Sequence, residues 1–279
     1  GRTESILNLD GLGMQEQTSE QFKRIIQTPF GMVLAAGPTG SGKTTTLYAA
    51  LNQLDRKRYN IMTIEDPVEY NFQGINQIQV NRAAEITFAS GLRGVMRLDP
   101  DKIMVGEIRD VETARSAVQA ALTGHLVMSS IHANDAAGTL FRLIHLGVDR
   151  YLINSSVLGM ASQRLIRLSC PHCRAETEPT DYQNQLFEQE MGQPLQTYQR
   201  GEGCTYCQGT GYLGRTGVFE LLVLTNEIRH MFAHGASSNE IRAAAIEAGM
   251  LSMYRDGMMK VQQGLTTPEE IIRNVYAVE

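Results

Sequence analysis

Residues 37–44 have the types and the spacing of a loop that binds phosphate. Gly37, four residues, and then Gly42, Lys43 and Thr44 stand between an apolar run at 32–36 and a helical pattern. Glycines let the backbone turn tightly and aim its N–H groups inward, where they form an anion site together with the helix N-terminus. Lys43 would reach the β- and γ-phosphates, and the Thr44 hydroxyl would bind Mg²⁺. The predicted nucleotide-binding residues are Gly37, Pro38, Thr39, Gly40, Ser41, Gly42, Lys43, Thr44 and Thr45.

Carboxylates and histidines border three further strand patterns. Glu65 and Glu69 follow the apolar run at 61–64, and Glu107 follows the run at 103–105. The next strand pattern begins at His125 and ends at His132. In an open parallel sheet, ligands bind beyond the carboxyl ends of the strands, so these polar groups are expected to converge on the phosphates. Hydrolysis of a nucleoside triphosphate needs a group that orients water, oxygen ligands around the metal, and positive charge.

Three arginines precede the strand that ends in Glu107. They are Arg82, Arg93 and Arg97, of which the last two lie four residues apart on one face of a predicted helix. A guanidinium offered across a subunit interface would stabilise the charge that develops in phosphoryl transfer. A solvated basic helix face is an equally good interpretation, because helices carry charges at this spacing routinely.

All four cysteines fall in two Cys-x-x-Cys pairs, Cys170 with Cys173 and Cys204 with Cys207. Two short loops with two thiolates each are the usual way to build a tetrahedral structural zinc site. Disulfides are the alternative, but a reducing compartment favours the metal. His172, inside the first pair, is expected to be a turn residue because four thiolates already complete the zinc coordination.

Composition excludes several classes of protein. Of 279 residues, 42% are hydrophobic and 20% are charged, which is typical of a globular protein. No apolar segment approaches the roughly 20 residues that span a bilayer, and no basic-then-apolar leader opens the chain. We therefore expect a cytoplasmic protein. The net charge of −5 argues against a nucleic-acid groove as the main surface.

The alternation of strand and helix patterns predicts an α/β fold with a mainly parallel sheet. We expect a linker at 1–14, left from a missing N-terminal domain, and a nucleotide-binding core at 15–168. A zinc module at 169–214 and a helical C-terminal subdomain at 215–279 would follow. Thr18, Thr87 and Ser237 are expected to cap helices. A continuous helical segment is expected at 149–164, and two packing helices are expected at 252–263 and 268–278.

Four segments resemble the secretion ATPase superfamily, which drives type II secretion and type IV pilus machines. They are residues 37–44, 63–70, 98–110 and 123–134, which correspond to the motifs called Walker A, Asp box, Walker B and His box. The resemblance covers nearly the whole chain and implies a RecA-like P-loop ATPase. The cysteine pairs resemble the secretion and pilus-assembly branch of the superfamily.

The resemblance also implies roles for individual residues. Glu69 would position the attacking water, Glu65 would support the metal shell, and Glu107 would hold Mg²⁺ through water. His132 would sense the γ-phosphate, with His125 as a second candidate. Gly106 stands where many P-loop enzymes have an aspartate, so Glu107 supplies that carboxylate alone, a feature shared by the superfamily.

At the level of the assembly, the resemblance implies a ring-forming motor, usually a hexamer. Such a motor would be peripheral to the inner membrane and would act on a membrane platform protein.

Two other functions compete with this interpretation. A nucleic-acid-translocating P-loop ATPase would also suit a P-loop and a zinc module, but it calls for a basic track with interleaved aromatic residues, which this acidic chain lacks. Hydrolysis stimulated by DNA would favour it. A catalytically silent, zinc-stabilised scaffold conflicts with the full set of groups for phosphoryl transfer.

Overall fold

A computed structural model describes residues 7–275 of the chain. The N-terminal linker prediction falls partly outside these residues, as does the end of the last predicted helix. The strands are β1 (Gly31–Ala36), β2 (Ile61–Glu65), β3 (Asn76–Gln79), β4 (Lys102–Val105), β5 (Leu126–Ile131), β6 (Val157–Ser169), β7 (Arg174–Thr177), β8 (Tyr198–Gly201) and β9 (Tyr212–Val223). The helices are α1 (Glu16–Ile26), α2 (Lys43–Gln53), α3 (Phe88–Val95), α4 (Val111–Leu122), α5 (Ala136–His145), α6 (Arg150–Ser156), α7 (Asp181–Met191), α8 (Asn226–Ala233), α9 (Ser238–Glu247), α10 (Met253–Gln262) and α11 (Pro268–Asn274).

A seven-stranded sheet forms the centre of the molecule, with the strand order β3-β2-β4-β5-β1-β6-β9. Neighbouring strands run parallel except at the edge, where β9 is antiparallel to β6. Successive side chains of a strand point to opposite faces, and those of β1 accordingly enter two separate cores. Met32 and Leu34 pack with α4 and α5, whereas Val33 and Ala35 pack with α1 and α2. The predicted α/β fold with a mainly parallel sheet is confirmed.

The helix predicted at 149–164 is wrong in its second half. Helix α6 ends at Ser156, and the chain continues as the thirteen-residue strand β6 beside β1. This strand is buried on both faces near β1, so its apolar residues form a continuous run instead of alternating with polar ones. Such a run resembles a buried helix in sequence. Gly159 fits the tight passage, since a Cβ there would lie 3.0 Å from the Leu222 carbonyl oxygen.

The region from 215 onward is not wholly helical, because β9 extends to Val223 and pairs with β6. Two of the predicted caps are confirmed, since Thr87 and Ser237 each form a capping box. The prediction for Thr18 is wrong. Helix α1 begins at Glu16, and Thr18 is buried inside it.

The last two helices, α10 and α11, pack on the sheet through a core that includes Ile166 of β6 and Val218 of β9. The two packing helices predicted near the C-terminus are confirmed in the described residues. Asp256 and Lys260 form a buried ion pair in α10, with 2.6 Å between Oδ1 and Nζ. None of the helices within residues 7–275 is long and apolar enough to cross a membrane.

Candidate functional site

A cavity of about 820 Å³ opens at the carboxyl ends of β1, β2, β4 and β5. It lies where ligands bind in open parallel sheets. Predicted residues from four separate segments of the chain meet there. The residues that line it are Thr39, Gly40, Gly42, Lys43, Thr44, Leu47, Glu65, Asp66, Pro67, Glu69, Phe88, Met104, Gly106, Glu107, Ile108, Arg109, Ser130, His132, Arg142, Leu165 and Arg215.

The loop at 37–44 links β1 to α2 in the way the sequence predicts. Its glycines Gly37, Gly40 and Gly42 have φ angles of 152°, 78° and 89°, a region that favours glycine. Helix α2 begins at Lys43, whose Nζ donates to the Gly37 and Pro38 carbonyl oxygens at 2.8 Å each. Burial lowers the pKa of Lys43, and the charge of Glu107 opposes that shift. The ammonium is therefore held at the loop by two acceptors that phosphate oxygens can replace.

Glu107 also lines the cavity and follows shortly after β4. Its Oε1 is 2.9 Å from His132 Nε2, and its Oε2 accepts a 2.6 Å hydrogen bond from Arg109 Nε. The Glu107 side chain is 16% exposed, so its charge faces a partly desolvated space. Oxygen ligands are what Mg²⁺ prefers, and the Thr44 hydroxyl and the Glu107 carboxylate both line the cavity. These two groups fit a magnesium site completed by water and phosphate.

Glu65 also lines the cavity, where protein groups hold its carboxylate. It is only 2% exposed, and both of its oxygens accept hydrogen bonds from protein groups. Tyr48 donates to Oε1, while Thr63 Oγ1 and Gln77 Nε2 donate to Oε2 at 2.6 and 2.9 Å. With these partners the carboxylate anchors neighbouring segments in this structure.

The segment that carries Glu69 is held by the same network. The Glu69 N–H donates to the Tyr48 hydroxyl at 3.0 Å, and Gln77 Nε2 donates to the Tyr70 carbonyl oxygen at 2.9 Å. Burial, and secondly the hydrogen bond to Glu65, raise the pKa of Tyr48 to about 12, so this hydroxyl stays protonated near neutral pH. Because Tyr48 belongs to α2, the network joins the helix of the phosphate loop to the segment of Glu69.

His125 does not reach the cavity. It precedes β5, at the amino ends of the strands, whereas the phosphate loop lies at their carboxyl ends. Its Nδ1 lies 2.9 Å from the Ala120 carbonyl oxygen. The two histidines of the motif stand at opposite ends of one strand, and of the two only His132 lines this cavity.

The predicted arginines do not line the cavity either. Arg93 is paired with Glu112, with 2.7 Å between Nη1 and Oε1, and both side chains are exposed. Arg97 follows the end of α3, and Arg82 lies in the short 3-10 turn Arg82–Ala84. The basic side chains at the cavity besides Lys43 are Arg109, Arg142 of α5 and Arg215 of β9. The sequence does not single out Arg142 and Arg215, because their proximity depends on how α5 and β9 pack. Arg109 stands two residues after Glu107, so its place after β4 is a signal that could have identified it.

The four cysteines gather in one centre. Their ligand atoms lie within 4.8 Å of one another, and three Sγ–Sγ distances are 3.8, 3.8 and 3.7 Å. Disulfide sulfurs lie about 2.05 Å apart, so the thiols are free. Four sulfurs at the usual Zn–S distance of about 2.3 Å form a tetrahedron with edges of about 3.8 Å. The geometry fits a closed zinc site, and the rings of His172 and Tyr206 stack beside it at 4.0 Å.

Comparison with known proteins gives one consistent result. A family model described as Type II/IV secretion system protein matches residues 2–273. The Vibrio cholerae protein called Type II secretion system ATPase E is 46% identical over 267 residues, covering 96% of this chain and 53% of that protein. The Thermus thermophilus protein called Type IV pilus assembly ATPase PilB is 46% identical over 274 residues, covering 97% of this chain and 31% of that protein.

A solved structure agrees with these sequence relatives. The pilus retraction motor PilT with bound ADP has a TM-score of 0.70 and 27% identity, covering 95% of this chain and 66% of that one. The chain spans about half the length of most of the curated relatives it matches, 53% for the Vibrio cholerae protein.

Proposed function

This chain belongs to the Type II/IV secretion system protein family, and on that premise we propose that it is the ATP-hydrolysing part of a motor for type II secretion or type IV pilus assembly. The observation that carries the proposal is that Lys43, Thr44, Glu69, Glu107 and His132 line one cavity. Relatives named as ATPases of both systems, and a similar motor solved with ADP, support it.

The residues of the cavity divide the work of hydrolysis. The loop amides and Lys43 bind the phosphates of ATP, and Lys43 also stabilises the charge that develops on the transferred group. Glu69 orients the attacking water. His132 contacts the γ-phosphate, and its 2.9 Å contact with Glu107 links that event to the carboxylate. Thr44 and Glu107 would hold Mg²⁺, which would neutralise phosphate charge.

Several wider properties belong to the same proposal. The motor assembles as a ring, a hexamer in its full-length form, and works in the cytoplasm at the inner membrane with a platform protein. Nucleic acid is not its substrate, in keeping with the net charge of −5. Arg142 and Arg215 add positive charge at the nucleotide.

The cysteine module, residues 169–214, binds one structural zinc ion. The segment before the module and strand β9 after it form one sheet domain, so we place the start of the C-terminal helical part after Val223. Four thiolates leave no coordination position for water, so the ion stabilises the module and takes no part in hydrolysis.

Lys43→Ala tests the nucleotide site. Calorimetric titration with Mg·ATP should show no measurable binding, because the ammonium that touches the loop carbonyls is removed. Lys57→Ala, at an exposed lysine beyond α2, is the control and should bind normally. Equal affinity of Lys43→Ala and the unmodified protein for Mg·ATP would contradict the assignment of the nucleotide site.

A further inference from the structure

We propose that Gln163 of β6 is a positioning residue that holds the phosphate loop in its binding shape. This inference rests on the proposed function of the loop. Gln163 is 2% exposed, although its amide is polar. A buried amide is costly unless both of its ends are hydrogen-bonded, and both ends of this one bind the loop and the helix that follows it.

The two hydrogen bonds bridge separate parts of the phosphate site. Gln163 Nε2 donates to the Ser41 carbonyl oxygen at 2.7 Å, and Gln163 Oε1 accepts from Thr46 Oγ1 at 2.7 Å. Ser41 lies in the loop, and Thr46 lies in the first turn of α2. Both are buried, at 3% and 0% exposure. One side chain from β6, a strand distant in sequence, therefore fixes the spacing between the loop and its helix.

The backbone of Gln163 contacts the same loop at a second point. A Cβ on Gly37 would lie 2.6 Å from the Gln163 carbonyl oxygen, and a Cβ on Gly42 would lie 3.2 Å from its Nε2. The first and last glycines of the motif are thus required in part by the close approach of β6. Gln163 therefore contacts this segment of the chain at several points between Gly37 and Thr46.

Loss of the Gln163 amide would leave two buried groups without their partner, the Ser41 carbonyl and the Thr46 hydroxyl. The loop would then rearrange to satisfy them, and its inward-pointing amides would no longer be aimed together. Preorganised donors lose much of their effect on a charged ligand when their aim is lost. We expect the cost to fall on phosphate binding, since the groups that act on water do not touch Gln163.

The experiment compares Gln163→Leu with the unmodified protein in calorimetric titrations with Mg·ATP and with inorganic pyrophosphate. Affinity for both probes should fall at least about tenfold, because the two share only the phosphates that the loop binds. In turnover assays KM should rise by a similar factor while kcat stays within about threefold, the pattern of lost uniform binding. The control is Gln183→Leu, another buried amide that caps α7 in the cysteine module. It should leave both affinities unchanged.

A double-mutant cycle with Thr46→Val makes the test independent of any one variant. Thr46→Val alone should weaken binding about threefold or more, and the double variant should bind no more weakly than Gln163→Leu, because both changes break one network. Thr46→Val serves as the test if Gln163→Leu does not fold. Additive losses, an equal loss in Gln183→Leu, or affinity within twofold of the unmodified protein would overturn the inference. Lys43→Ala distinguishes the failure of the two proposals. If Lys43→Ala abolishes binding while Gln163→Leu and Thr46→Val leave it unchanged, the nucleotide site is supported and the role of Gln163 is refuted.

Discussion

Replacing Tyr48 by Phe tests whether the segment of Glu69 must be tied to the phosphate-loop helix for hydrolysis. The change removes one oxygen atom from a residue that is 3% exposed and keeps the aromatic ring. The ring's edge contact with Phe72, at a centroid distance of 5.1 Å, is retained. Two hydrogen bonds are lost, one donated to the Glu65 carboxylate and one accepted from the Glu69 N–H.

The size of the effect follows from these two bonds. A hydrogen bond to a charged group contributes about 1.5–3 kcal/mol and a neutral one about 1 kcal/mol. Glu65 keeps Thr63 and Gln77 as donors, so we expect a net loss of about 2–3 kcal/mol in the free energy of unfolding. Turnover should fall by about tenfold or more, since small displacements of a catalytic group can cost up to about 100-fold in rate.

Urea denaturation measures the first quantity, and steady-state ATP hydrolysis by the assembled protein measures the second. Tyr198→Phe is a matched control, because Tyr198 is also 3% exposed but lies in β8 of the cysteine module. It should lower stability without lowering kcat. If Tyr48→Phe lost the expected stability but kept kcat within twofold, the hydroxyl would support only the fold, and the argument that it positions Glu69 would be refuted.

Three further predictions concern chemistry, metal and pH. Replacing Glu69 or Glu107 by Gln should cut kcat at least about tenfold while ATP affinity changes only a few-fold, because the lost contacts act mainly in the transition state; equal losses in both would argue against these roles. Cys204→Ser should lower the zinc content below the expected one ion per chain. It should also open the cysteine module to protease, without loss of nucleotide binding. An unmodified protein that contains no metal and yet has a protease-resistant module would contradict this. Burial pushes the pKa of Glu270 up, but hydrogen bonds from Arg167 outweigh it and bring the pKa below the ordinary value of 4.5, so this carboxylate stabilises the protein above that pH. The stabilisation is lost as the pH falls through the folded-state pKa, so Glu270→Gln should show a flatter loss of stability in acid, by urea denaturation at stepped pH, than the unmodified protein.

The parts of the site that are local in sequence could be predicted in detail. The loop at 37–44 and the two cysteine pairs each place their groups within a few residues, so spacing alone identifies their chemistry. Glu107 and His132 could be placed because each follows a strand that is short, apolar and unambiguous. For such residues the topology of a parallel sheet places them together at the carboxyl ends of the strands.

Other features depended on packing between distant segments. The sequence of β6 does not distinguish a buried strand from a helix, and without β6 and β9 the positions of Gln163 and Arg215 could not be inferred. His125 illustrates a different limit, because the motif contains two histidines and only strand direction separates them. Two of the three partners of Glu65 come from α2 and β3, which no spacing rule connects.

Strand β6 connects regions that are far apart in function. Gln163 meets the phosphate loop, Arg167 binds Glu270 of α11 with an Nη2–Oε2 distance of 2.8 Å, and Cys170 follows the end of the strand. An extended chain rises about 3.3 Å per residue, so these anchor points stand along a strut of roughly 20 Å. From Gln163 onward the strand is paired with β9, and on its other side Arg167 and Ser169 are hydrogen-bonded to the segment at 265–270. We therefore expect a displacement of the phosphate loop at Gln163 to reach the cysteine module along a braced strand, with the C-terminal segment bearing part of the load.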